Sequence, residues 1–124
     1  MSGEIDIRFY NVGHFANKRD KFAKKHWDEV SFAIKNFDAA MEFFEKSSEE
    51  ALRTSGLVRR EKSGVVAVDQ SGSETRPPFQ IRLYFYPWTD AQGKHCVVLT
   101  IGEKKRQEAD NNFCVQCLRK MHLK

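Results

Sequence analysis

Cysteine is scarce in this chain of 124 residues: there are three, an odd number and too few to staple a domain of this length. They read as thiols kept reduced in a cytoplasm. No apolar run approaches the roughly 20 residues that a membrane helix needs, and the stretch Met1 to Tyr10 is charged where a secretion signal would be apolar. The expectation is a soluble, unexported, cytoplasmic protein with no membrane partner. Also missing are a Gly-rich phosphate loop, a His-Glu-x-x-His helix, a Gly-x-Ser-x-Gly turn, internal repeats and low-complexity segments. The length supports one core, so residues 1–124 are read as a single domain, and a separate cofactor module is excluded.

What the chain does have is charge, unevenly placed. The net charge is +4. Residues 1–93 carry 14 basic and 14 acidic side chains, whereas 94–124 carry seven basic and three acidic ones, so the whole excess lies at the C-terminal end. A second concentration, Lys18, Arg19, Lys21, Lys24 and Lys25 around Asp20, lies near the N-terminus. Two basic patches suit a polyanion such as nucleic acid; the alternative for the N-terminal one is a solvated helix face.

Hydrophobic spacing gives the elements. Ile5, Ile7 and Phe9 alternate with polar neighbours, a strand over 5–10. Trp27, Val30, Ile34, Phe37, Met41 and Phe44 recur at three- and four-residue spacings and are read as one apolar helical stripe belonging to the core. A break near Asn36–Asp38 would fold this stretch into a helical hairpin, with a capping box at Ser47 and Glu50 and an end by Gly56. Val65–Val68, following the Ser63-Gly64 turn, is β-branched. Gln70–Arg76 reads as a polar loop, and Pro77 and Pro78 hold off pairing until a strand over 79–86. A loop at 90–93 and an apolar strand over 96–101 complete a hairpin, and 107–123 forms a last helix. The predicted class is α+β: a small antiparallel sheet of about four strands in the order β-α-α-β-β-β-α.

Two features suggest chemistry. Arg82 alternates with Tyr84 and Tyr86 on the non-core face of its strand, an arrangement suited to stacking bases and pairing phosphate; the alternative is a face covered by a helix, with Arg82 in a salt bridge. The run Gly102-Glu103-Lys104-Lys105-Arg106 puts three cations between a buried strand and a helix, where they could stabilise a phosphoryl-transfer transition state or merely solvate the helix start. His95 is a further acid–base candidate, although a lone strand histidine is more often structural. Cys114 and Cys117 with His122 invite a zinc reading, but a structural site wants four ligands and no metal is expected.

Gln80-Ile81-Arg82-Leu83-Tyr84-Phe85, then Val97-Val98-Leu99-Thr100-Ile101-Gly102-Glu103-Lys104-Lys105-Arg106, together with the element order, resemble the RelE/ParE toxin superfamily over 79–121. The resemblance implies the toxin of a type II toxin–antitoxin pair, carried as a plasmid or phage accessory. Its RelE-like members are cofactor-free, metal-independent endoribonucleases, RNA-binding hydrolases that cut mRNA on the ribosome by attack of the 2′-hydroxyl on the neighbouring phosphate. It implies catalytic roles for Arg82, Lys104 and Arg106 and RNA contacts from Lys105, Lys62, Tyr84 and Tyr86. Its partners would be a cognate antitoxin, whose acidic segment would cover the basic groove, and the mRNA with its ribosome, with room for a homodimer. The family's aromatic residue early in the last helix falls on Asp110 here, with Phe113 one turn later. A non-catalytic member of the same fold acting on a protein target, as the gyrase-directed branch does, and a nucleic-acid-binding accessory protein are the rival readings.

Overall fold

Residues 4–72 and 79–123 are described in a computed structural model. The period-two alternation at the start forms β1 (Ile5–Phe9). Asn11 then ends extended structure and begins a helix, its side chain accepting a hydrogen bond from the His14 backbone N–H at 3.0 Å. That helix, α1 (Val12–Lys46), is continuous through 36–38 and takes the place of the expected helical hairpin. Asn36 is engaged elsewhere: its Nδ2 donates to the carbonyls of Asp69 and Ser71, at 2.9 Å each. The discontinuity falls instead at His26 (φ −135°, ψ 46°). There the imidazole stacks on Phe79, with ring centroids 3.4 Å apart, and Nδ1 lies 3.5 Å from the buried Glu29 carboxylate.

The helical phase slips at this bend, and Trp27, expected in the core stripe, faces outward with 70% of its surface exposed. Val30, Phe37, Met41 and Phe44 beyond the bend are buried as their spacing predicts, Ile34 is half-buried against the same core, and Ala33 and Ala40 are buried beside them. α1 stops where Lys94 donates to the carbonyls of Phe44, Glu45 and Ser47, a cation on the negative end of the helix. The short α2 (Glu49–Arg53) follows, capped by Ser48 one residue later than the sequence suggests.

The sheet is mixed and has five strands, where an antiparallel sheet of about four was expected: β2 (Arg59–Arg60), β3 (Val66–Asp69), β4 (Ile81–Asp90) and β5 (Gly93–Glu103) join β1 in the order β1-β5-β4-β3-β2. β1 runs parallel to β5, Ile7 opposite Cys96, and the other pairs are antiparallel. Residues 73–78, covering most of the expected polar loop and both prolines, lie outside the described residues. β4 starts at Ile81, two residues later than expected, because Gln70 occupies its approach: Oε1 accepts from the Ile81 N–H and Nε2 donates to the Phe79 carbonyl. The hairpin continues to Asp90, paired with Gly93, leaving only Ala91 and Gln92 as the turn, with Gly93 at a φ of +120°.

The final helix, α3 (Gln107–Lys120), ends earlier than position 123. His122 takes a φ of +59° while Leu123 N–H reaches back to the Leu118 carbonyl. Ile81, Leu83, Phe85, Val98 and Ile101 pack beneath α1, and Tyr84, Tyr86, Val97 and Leu99 beneath α3 with Cys114, Cys117 and Leu118. The sheet therefore lies between two helical layers. Among the described residues no helix is long and apolar enough to cross a membrane.

Candidate functional site

The layer between α3 and the sheet is apolar at one end and polar at the other. The change comes at a β-bulge: Tyr84 pairs with Thr100 but Phe85 with Val98, so Leu99 is the extra residue and the alternation of β5 slips by one. Thr100 thereby turns to the side of Tyr84 instead of the α1 core. Its hydroxyl oxygen accepts from Lys18 Nζ at 3.4 Å and lies 3.2 Å from His14 Nε2. His14 and Lys18 are four apart on α1 and share one face.

Across from them stands Asp110. Its carboxylate lies directly on Gly102, where a Cβ would collide with it, and its Oδ1 is 3.6 Å from Lys18 Nζ. Burial raises the Asp110 pKa, opposed by Lys18 and Arg106. The His14 imidazole stacks on Phe113 with centroids 4.8 Å apart. Burial, with Lys18 close by, lowers its pKa below the ordinary 6.5, so the ring is neutral at physiological pH.

A second polar group fixes the start of α3. Glu61 accepts from Asn111 Nδ2 at 2.8 Å and from Gln107 Nε2 at 3.0 Å, and pairs with Arg82 Nη1 at 3.6 Å; the Lys62 backbone N–H donates to Asn111 Oδ1. Arg82 is 4% exposed and Tyr84 fully buried, the phenol held well above its usual range by burial and by the Asp110 and Glu61 carboxylates. Arg82 Nε, Tyr84 OH and Asp110 Oδ2 are buried with no hydrogen-bond partner among the described residues. Such a concentration of unsatisfied groups is costly in a purely structural core and common where a fold holds chemistry.

The sequence-derived candidates thus separate. Arg82, Tyr84 and Tyr86 lie under α3 and do not reach the surface as a stacking platform; Tyr86 packs beneath Arg53, 5.8 Å from guanidinium to ring. Of the two arrangements considered for this face, the helix-covered one with Arg82 in a salt bridge is the one observed. Lys104, Lys105 and Arg106 form an exposed 3-10 turn, tied down by Lys104 N–H donating to the Gln80 carbonyl at 2.8 Å. Lys62 is exposed in the other turn, Lys62–Gly64, whose Asn111 contact brings it to the same end of α3. The four cations flank a helix N-terminus that has no side-chain cap.

His95 is remote from this group, at the other end of the β4–β5 hairpin, between Asp90 (2.9 Å) and Asp6 (3.4 Å) and stacked on Trp88. Cys114 and Cys117 are buried and their thiol pKa values raised by that burial, Cys117 to about 11. No three His, Cys, Asp or Glu side chains converge as metal ligands among the described residues. A cleft of about 420 Å³ lies elsewhere, between α1 and β2–β3, lined by Asn36, Leu57, Arg59 and Asp69.

His14 escaped the sequence reading, and Lys18 figured there only as one of a basic run. Their i, i+4 spacing becomes a signal only once Asn11 is recognised as a cap. Asp110 was visible only as a departure from a pattern. No family model matches the chain, and comparison with curated proteins and with solved structures finds no significant relative.

Proposed function

We propose that the protein is a RelE/ParE-like toxin that cleaves mRNA on the ribosome, with the His14–Lys18–Thr100–Asp110 group and the cations around α3 as its site. The observation that carries this reading is the convergence of His14, Lys18 and Asp110 on Thr100 and Gly102, at the strand end that leads into the exposed turn Lys104–Arg106. Strand cleavage without an added nucleophile needs a base for the 2′-hydroxyl, charge stabilisation on the pentavalent phosphate, and a proton for the departing 5′-oxygen. A neutral His14 is suited to accept the first proton. Lys104 and Arg106, with Lys105 and Lys62 beside them, would hold the phosphate and offset its extra negative charge. Lys18, oriented by Asp110, adds a cation inside the site, keeps His14 unprotonated and, as an ammonium, gives the proton that the departing 5′-oxygen needs.

Arg82 enters as a positioning residue: through Glu61 it fixes Gln107 and Asn111, and so the start of α3. Its burial also favours a second reading, in which the same cationic surface binds RNA without cutting it. An antitoxin would silence either form by laying an acidic segment over Lys62 and Lys104–Arg106.

Induced expression in a bacterial host with primer-extension mapping of transcripts tests the proposal. Wild type should arrest growth and create new transcript ends, and a folded Lys104→Ala/Arg106→Ala protein should do neither. Arrest without new ends would point to a protein target, and no arrest to a binding protein.

A further inference from the structure

Among the described residues Trp27 is the most exposed of the large apolar side chains, and three exposed lysines precede it on α1. Lys21, Lys24 and Lys25 on the same stretch of α1 are exposed and make no ion pair among the described residues. The nearby acids are mostly engaged: Asp20 is bound by Arg19 at 3.1 Å, and Glu29 is buried against His26; Asp28 alone is exposed beside the indole. The outward orientation of the indole is built in, because the bend that turns it is clamped by the stack of His26 on Phe79 and by Glu29.

We infer that Trp27 with Lys21, Lys24 and Lys25 is a docking platform for single-stranded RNA, the indole stacking on a base while the lysines meet phosphates. The inference rests on the RNA-directed reading above and extends it to a second contact on the same strand. Trp27 lies thirteen positions beyond His14 on one helix, on the order of 20 Å along its axis, a span that a single strand of several nucleotides crosses. Every base offers a π face, so the platform would hold the strand without reading its sequence, leaving any preference to the site around Thr100.

Other occupants fit less well. A helix lying on a membrane needs a free apolar face, and that of α1 is already packed on the sheet through Val30, Phe37 and Phe44. A protein hot spot needs apolar surroundings that exclude water, and the exposed side chains next to Trp27 in the sequence, Lys24, Lys25 and Asp28, are charged.

The chain has two tryptophans, so Trp88→Phe leaves Trp27 as the sole indole reporter without touching the proposed site. Titrating that protein with a single strand of about a dozen uridines should quench its fluorescence to saturation. In the natural background, Trp27→Ala should weaken binding of the same labelled strand by roughly 5- to 150-fold. Lys21→Ala/Lys24→Ala/Lys25→Ala should flatten the slope of log affinity against log salt by about 2.

Strand binding measured by anisotropy, with no quenching and full affinity in Trp27→Ala, would overturn the platform and leave the proposed function standing. Absence of any strand binding by wild type would overturn the platform, while cleavage on the ribosome is judged separately by the new transcript ends. Quenching by anionic phospholipid vesicles but not by RNA would overturn the platform in favour of a lipid surface.

Discussion

Gly102 and Asp110 constrain each other. A methyl group at Gly102 would meet the Asp110 carboxylate, with Cγ only 2.9 Å away. Gly102→Ala should therefore cost about 1–3 kcal/mol of stability, and Gly102→Ala combined with Asp110→Ala should recover part of it; thermal unfolding of the two variants measures the coupling. Glu61 and Arg82 form a pair whose side chains are 3% and 5% exposed. Removing Glu61 alone leaves a buried guanidinium and should cost about 3–5 kcal/mol, whereas Glu61→Gln with Arg82→Met should cost less than Glu61→Ala alone in denaturant titrations.

His14 ties pH to both folding and activity. Its folded pKa lies below the unfolded 6.5, so the unfolded chain binds more protons as pH falls through that window. Its contribution to stability is full above 6.5 and is lost as pH drops through the folded value. If the imidazole is the base, cleavage should decline on the same side, with the acid limb of the rate profile below 6.5 and absent in His14→Gln. Asp110 works in the opposite sense: its raised pKa makes its burial easiest when protonated, so that contribution is present below 3.8 and fades as pH rises through the folded value.

At the scale of the elements, α1 depends on contacts made at its bend and at its end. Lys94→Met removes three hydrogen bonds to carbonyls at the C-terminus of α1 and should lower stability by about 1–2 kcal/mol in thermal unfolding. The same helix shows what a sequence can and cannot disclose. Val30 through Phe44 announced a buried stripe because spacing alone decides which face is apolar. The bend at His26 was invisible, because its cause is a stack on Phe79, more than fifty positions away. The pattern at 81–85 gave the core face of β4 correctly. It could not say whether the opposite face meets water or a helix, which left two arrangements open for Arg82 and Tyr84. Nor could spacing reveal that β1 pairs in parallel with β5, since alternation within a strand carries no information about its neighbour's direction.

For the whole molecule, the C-terminal excess of positive charge acquires a location. Lys104, Lys105 and Arg106 form one turn, and Lys62, from the charge-balanced stretch 1–93, joins them through Asn111. The cations after Gly102 were legible because they are consecutive. The group behind them was not, because Thr100 reaches it only through a bulge and His14 and Asp110 come from opposite ends of the chain.

The proposed chemistry is cleavage of RNA by internal attack of a 2′-hydroxyl. The most direct measurement is mass spectrometry of the new 3′ ends formed on ribosome-bound mRNA by the purified protein, in parallel with the folded Lys104→Ala/Arg106→Ala variant. Wild type should give ends bearing a 2′,3′-cyclic phosphate, and the variant none. Ends bearing a 3′-hydroxyl, or equal cleavage by the variant, would contradict it.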